Sequence, residues 1–101
     1  MSRRIDLQNE LEQLLDSDQV FFQKPENVKM KYPAIVYDYS RDYVKNADNI
    51  KYVKIPCYSV TVIDYDPDSE ISEKVSELPN SSLDRTYQSD NLNHFVYTIY
   101  Y

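Results

Sequence analysis

Cys57 and His94 are the only thiol and the only imidazole in these 101 residues, so any Cys–His nucleophile pair or soft-metal site would need both. Two such ligands fall short of the four that a structural zinc site takes. A catalytic thiol also needs a lowered pKa, commonly from a helix N-terminus or a cationic neighbour, whereas Cys57 and His94 each sit in a strand-like alternation. Both read as ordinary strand positions, and no catalytic residue is assigned. The other cluster with chemical potential is Asp64-Tyr65-Asp66-Pro67-Asp68-Ser69-Glu70, because alternate carboxylates open a calcium loop. The rest of that pattern is missing. Ser69 stands where glycine belongs, Pro67 stiffens the turn, and Val75 takes the place of the bidentate glutamate. The run reads instead as the start of a helix, with Asp66 as the cap, Pro67 as the first helical residue, and Asp68 and Glu70 near the positive end of the helix dipole. Neither a metal nor a cofactor is expected.

Composition removes further function classes. The chain has no glycine, which excludes G-x-G-x-x-G dinucleotide loops, G-x-x-x-x-G-K-[ST] phosphate loops and G-x-S-x-G nucleophile elbows. Asn and Asp must then take any left-handed turn positions, and Asp48-Asn49, Pro79-Asn80 and Asp90-Asn91 are the expected places. A net charge of −6 and a pI near 4.6 have the wrong sign for a protein held to nucleic acid by counterion release. No apolar run is long enough for a membrane span, and the first residues lack the apolar core of a secretory signal. A single cysteine fits a reducing compartment. The length fits one domain, 1–101.

The elements that must position these residues are legible from hydrophobic spacing. Leu7, Leu11, Leu14 and Leu15 share one face of a helix from about Ile5 to Leu15. Gln19 to Gln23 is a short strand. Tyr32 to Tyr39 is a clear strand, with Ile35, Tyr37 and Tyr39 on one face and Ala34 and Val36 on the other. The polar stretch at about 40–55 reads as a projecting hairpin. Ile55 to Asp64 is a strand with Tyr58, Val60 and Val62 on one side and Cys57, Ser59, Thr61 and Ile63 on the other. A second helix follows, inward through Ile71, Val75 and Leu78 and ended by Pro79-Asn80. Leu83 to Tyr87 and Leu92 to Tyr100 are two final strands. The order α-β-β-β-α-β-β predicts an α+β fold, with two helices on one face of a small, mainly antiparallel sheet.

Eleven tyrosines stand beside three phenylalanines and no tryptophan. Tyr37, Tyr58 and Tyr97 alternate with aliphatic residues and read as rings in the core with hydroxyls in water. The remainder exceed what so small a core can hold, and tyrosine favours protein interfaces because it offers large contact area for little rotamer entropy. Candidate interface residues are Tyr39, Arg41, Tyr43, Asp48, Tyr52, Tyr65, Tyr100 and Tyr101. The uncharged run His94 to Tyr101 is an edge that would need pairing or covering.

This layout resembles the tail-terminator, or tail-completion, proteins of long-tailed bacteriophages. The residues carrying the likeness are the Leu7/Leu11/Leu14/Leu15 helix, Val20-Phe21-Phe22, Tyr32-Pro33-Ala34-Ile35-Val36-Tyr37 and the helix from Asp66 to Leu78. Asn46-Ala47-Asp48-Asn49 and Tyr87-x-x-Asp90-Asn91-Leu92-Asn93-His94 are also similar to that family. The resemblance implies a non-enzymatic virion protein of the tail and neck, assembled in the host cytoplasm. Its subunits would form a hexameric ring that stops tail-tube polymerisation and meets the tail-tube and head-completion proteins. A head-closure or other neck connector is the nearest alternative. A small acidic host-directed inhibitor, presenting carboxylates in place of phosphates, is the rival from another class.

Overall fold

The computed structural model describes residues 3–23, 31–47 and 51–100, with side chains from 4–23, 31–40 and 56–100. Element order follows the expectation: α1 Arg3–Leu15, β1 Val20–Phe22, β2 Ala34–Ala47, β3 Lys51–Asp64, α2 Glu70–Ser76, β4 Ser81–Ser89 and β5 Leu92–Tyr100. The strands form one sheet in the order β1-β2-β3-β5-β4, antiparallel except where β1 runs parallel to β2. The expected loop at 25–31 and the Asp48-Asn49 turn lie outside the described residues, apart from Lys31.

Without glycine, the positive-φ positions among the described residues fall on Asp, Asn and Gln. Asp16, at φ 57°, ends α1, and the Ser17 N–H reaches back to the Glu12 carbonyl at 3.3 Å, the wrap-around bond of a Schellman cap. Asn80 has φ 61°, and Asp90 and Asn91 have 52° and 64°, which matches the right-handed twist of the β4–β5 hairpin they close. Asp16 and Gln23 are positive-φ sites that the dipeptide signals do not mark.

One face of the sheet carries the core. Leu7, Leu11 and Leu15 from α1 and Val75 from α2 pack with Ile35, Tyr37, Tyr58, Val60, Val62, Tyr97 and Ile99. Full burial of each aliphatic side chain contributes about 1.5–3 kcal/mol, so this cluster dominates stability. Leu14 is only half-buried at the margin of the stripe.

Three expectations need correction. The run from His94 is not an edge, because β5 pairs with β3 on one side and β4 on the other. The helix does not begin at Asp66-Pro67. It begins three residues later, with Ser69 as cap, its hydroxyl accepting from the Ser72 N–H at 3.1 Å. Asp64 and Asp66 instead accept from the N–H groups of Asp66 and Asp68, at 3.1 and 2.9 Å. Asp66 thus bonds the N–H two residues on, as a cap does, but the chain stays in a turn until Ser69 supplies the cap that α2 uses. The hydroxyls of Tyr37 and Tyr97 are not in water either. Tyr97 Oη meets Ser72 Oγ at 2.7 Å and donates to the Ser72 carbonyl at 3.0 Å, tying β5 to α2. Tyr37 Oη donates to Gln8 Oε1 and accepts from Arg4 Nη1 at 3.3 Å, tying β2 to α1. Arg4 also lies over the Phe22 ring at 4.7 Å, and Gln8 Nε2 donates to the Val20 carbonyl at 3.1 Å.

Candidate protein interface

Three parts of the molecule are positioned to meet something else: an arm, an acidic turn and an aromatic margin. The arm is the outer half of the β2–β3 hairpin. Strand β3 pairs with β5 only from Cys57 to Asp64, whereas its pairing with β2 continues outward through Tyr43↔Ile55 and Lys45↔Val53 to Ala47↔Lys51. The outer half is thus a two-stranded ribbon that leaves the sheet, and the molecule measures 50 Å along its longest axis. A register shift between Tyr39 and Arg41 marks the departure point. Such a bulge sharpens the local twist and re-aims the strand.

At the other end of β3 lies the acidic turn. Asp66, Asp68, Glu70, Glu73 and Glu77 are exposed, and none of them forms an ion pair among the described residues. The turn is held by its own Asp64 and Asp66 carboxylates and by Asn93, whose Nδ2 donates to the Tyr65 carbonyl at 3.1 Å. Among the described residues, no group of three or more His, Cys, Asp or Glu is arranged to hold a metal ion.

The aromatic margin lies beside that turn. Tyr65, 64% exposed, meets Tyr32 edge to face at 5.7 Å. Tyr87 and His94, paired across β4 and β5, stack at 4.5 Å with planes 9° apart. A depression of about 300 Å³ is lined by Tyr32, Tyr87 and His94 together with Val36, Thr61 and Ile63. The last three belong to the sheet face opposite the core. Leu83, 56% exposed, adds an apolar side chain on the edge strand β4. Sequence reasoning missed Tyr32, Leu83 and Tyr87, because alternation within one strand does not reveal which residues face each other across two.

The residues expected at an interface are distributed rather than gathered. Tyr39 is exposed on β2 against the edge of Tyr58 at 5.9 Å. Tyr100 is half-buried at the end of β5, opposite Cys57. Tyr65 stands at the far end of β3 from the arm. The backbones of Arg41, Tyr43 and Tyr52 lie in the arm, with side chains outside the described set, and Asp48 and Tyr101 lie outside the described residues. The Cys57–His94 pair does not come together. On β3, Cys57 and the His94 partner Ile63 are six positions apart, or about 20 Å at roughly 3.3 Å per residue. Cys57 is fully buried, and His94 Nδ1 is occupied by the Leu92 carbonyl at 3.2 Å.

No helix among the described residues is long and apolar enough to cross a membrane. No family model matches the chain, and neither a curated protein nor a solved structure matches it.

Proposed function

We propose that this chain is a structural assembly protein of the tail-terminator type, whose subunits join in a ring that caps a phage tail tube and meets the head-completion proteins. The observation that carries the assembly reading is the arm, a ribbon that among the described residues is bonded along neither outer edge and extends well beyond the core. An isolated two-stranded ribbon is marginal in water, so an arm of this length is best explained by a neighbour that receives it. The tail-terminator part rests on the sequence likeness, with its leucine-striped first helix and its long strand followed by a second helix. The candidate residues Tyr39, Arg41, Tyr43, Asp48, Tyr52, Tyr65, Tyr100 and Tyr101 are proposed as contact positions on that basis.

A head-closure role in the same neck region is the closest variant. The exposed carboxylates from Asp66 to Glu77 favour one reading of another class, an acidic protein that occupies a basic host surface.

Light scattering on the eluting protein tests the leading proposal, first alone and then with the tail-tube protein of the same phage. A ring of about six subunits is expected, with tubes of arrested length when the chain is present during polymerisation. A protein that stays monomeric and leaves tube growth unchanged would overturn it. Retrieval of a basic nucleic-acid enzyme from host lysate, with no tail or neck protein, would favour the acidic-inhibitor reading.

A further inference from the structure

Charge is segregated along the long axis of this molecule. Residues 41–47 and 51–56, the two strands of the arm, contain Arg41, Lys45, Lys51 and Lys54 against a single acid, Asp42. With Asp48 between them, residues 41–56 are net +2 within a chain of net −6, which leaves −8 on everything else. The stretch from Asp64 to Asp84 is the opposite case, with seven carboxylates and Lys74 as its one cation. Lys51 and Asp64 are the first and last residues of β3, thirteen steps apart, or about 43 Å at roughly 3.3 Å per residue in a strand. The Debye length is only about 8–10 Å at ordinary ionic strength. Within one molecule, the basic arm therefore cannot neutralise the acidic end.

We infer that the arm of one copy docks on the acidic end of a second copy, with Arg41, Lys45 and Lys51, which the register places on one face of the ribbon, meeting Asp66, Asp68, Glu70, Glu73 and Glu77. This deepens the assembly reading and rests on it, because it names the partner surface of the arm. The contact is heterologous: unlike surfaces meet, so each bound copy still offers a free arm and a free acidic end. Repetition closes into a ring when the rotation permits and grows as a filament when it does not. The α2 carboxylates suit this role because they are exposed and none forms an ion pair among the described residues. Docking therefore breaks no intramolecular pair there. Complementary potentials of this kind set register and speed encounter.

Sedimentation velocity of the full chain, in about 0.05 M and about 0.5 M sodium chloride, is the test. Two double variants accompany the wild type: Lys45→Glu with Lys51→Glu in the arm, and Asp68→Lys with Glu73→Lys at the acidic end. Circular dichroism melts show whether each is folded. The expected result is self-association of the wild type at low salt that dissolves at high salt, with each variant alone weakened at least about tenfold. Mixing the two variants restores pairing, because the unaltered acidic end of the arm variant accepts the unaltered arm of the other. Failure of the folded variants to associate on mixing overturns the inference, as does wild-type assembly that ignores salt. A variant that assembles as tightly as the wild type overturns the inference but leaves ring formation standing. A wild type that remains monomeric at low salt overturns both.

Discussion

Strand β3 is two different structures joined end to end. From Cys57 to Ile63 it is bonded to β2 on one side and β5 on the other, and its Tyr58, Val60 and Val62 are buried beneath helix residues. From Lys51 to Pro56 it is bonded to β2 alone among the described residues. In the inner half the strand is paired on both sides and Cys57 and Ile63 are buried as well, so order there repays its entropy cost. In the outer half the same backbone conformation is kept by a single ladder. The contrast places the body in the inner half, and it is to the outer half, whose strands contain Arg41, Lys45, Lys51 and Lys54, that the proposal above gives recognition.

The strongest way to break this contrast is to weaken the body. Leu11 is fully buried among Leu7, Leu15 and the sheet. Leu11→Ala should destabilise the protein by about 2–5 kcal/mol, combining lost burial with a residual cavity. Urea denaturation measures this directly. A loss under about 1 kcal/mol would mean that α1 is not part of the cooperative core and that the inner half is no better supported than the arm.

A smaller effect sharpens the role of the buried tyrosines. Tyr37→Phe leaves Gln8 and Arg4 without their shared partner and should cost about 1–2 kcal/mol at neutral pH. Burial pushes the Tyr37 phenol above its ordinary value of 10.0, with Arg4 opposing the shift. Because the folded pKa lies above the unfolded one, the contribution is complete below pH 10 and is lost as pH rises through the folded value. Wild-type stability should therefore fall more steeply above pH 10 than that of Tyr37→Phe. Chemical denaturation across that range reads the two slopes, and parallel slopes would place the Tyr37 hydroxyl in water.

How much of this was legible in the sequence depended on whether the deciding interaction was local. Leucine spacing revealed α1, period-two alternation revealed both faces of β2 and β3, and Asp90-Asn91 marked the hairpin turn, because each is encoded within a few residues. The start of α2 misled for an instructive reason. Asp66-Pro67 is a strong start signal, but Ser69, three residues on, is an equally good cap and is the one α2 uses. Partners such as Gln8 for Tyr37, Ser72 for Tyr97 and His94 for Tyr87 depend on which distant strand or helix arrives alongside. No window of sequence contains that information. The arm lay between these cases: its polarity indicated a projection, but only the extent of pairing with β5 shows where the body stops.

The smallest stability effect belongs to the arm and is the most discriminating. Lys45 lies opposite Val53 in the ribbon, beyond the last β5 pairing. If the outer half serves a neighbour and not the fold, Lys45→Ala should change unfolding free energy by no more than about 0.5 kcal/mol, as for surface positions away from caps and cores. The same substitution should weaken low-salt self-association, because it removes one of the four arm cations. Urea denaturation at a dilution where the chain is monomeric, set against sedimentation at high concentration, separates the two quantities. A change confined to association would assign the outer half to recognition. A loss of stability comparable to that of Leu11→Ala would instead make the arm a part of the body and erase the boundary at Cys57.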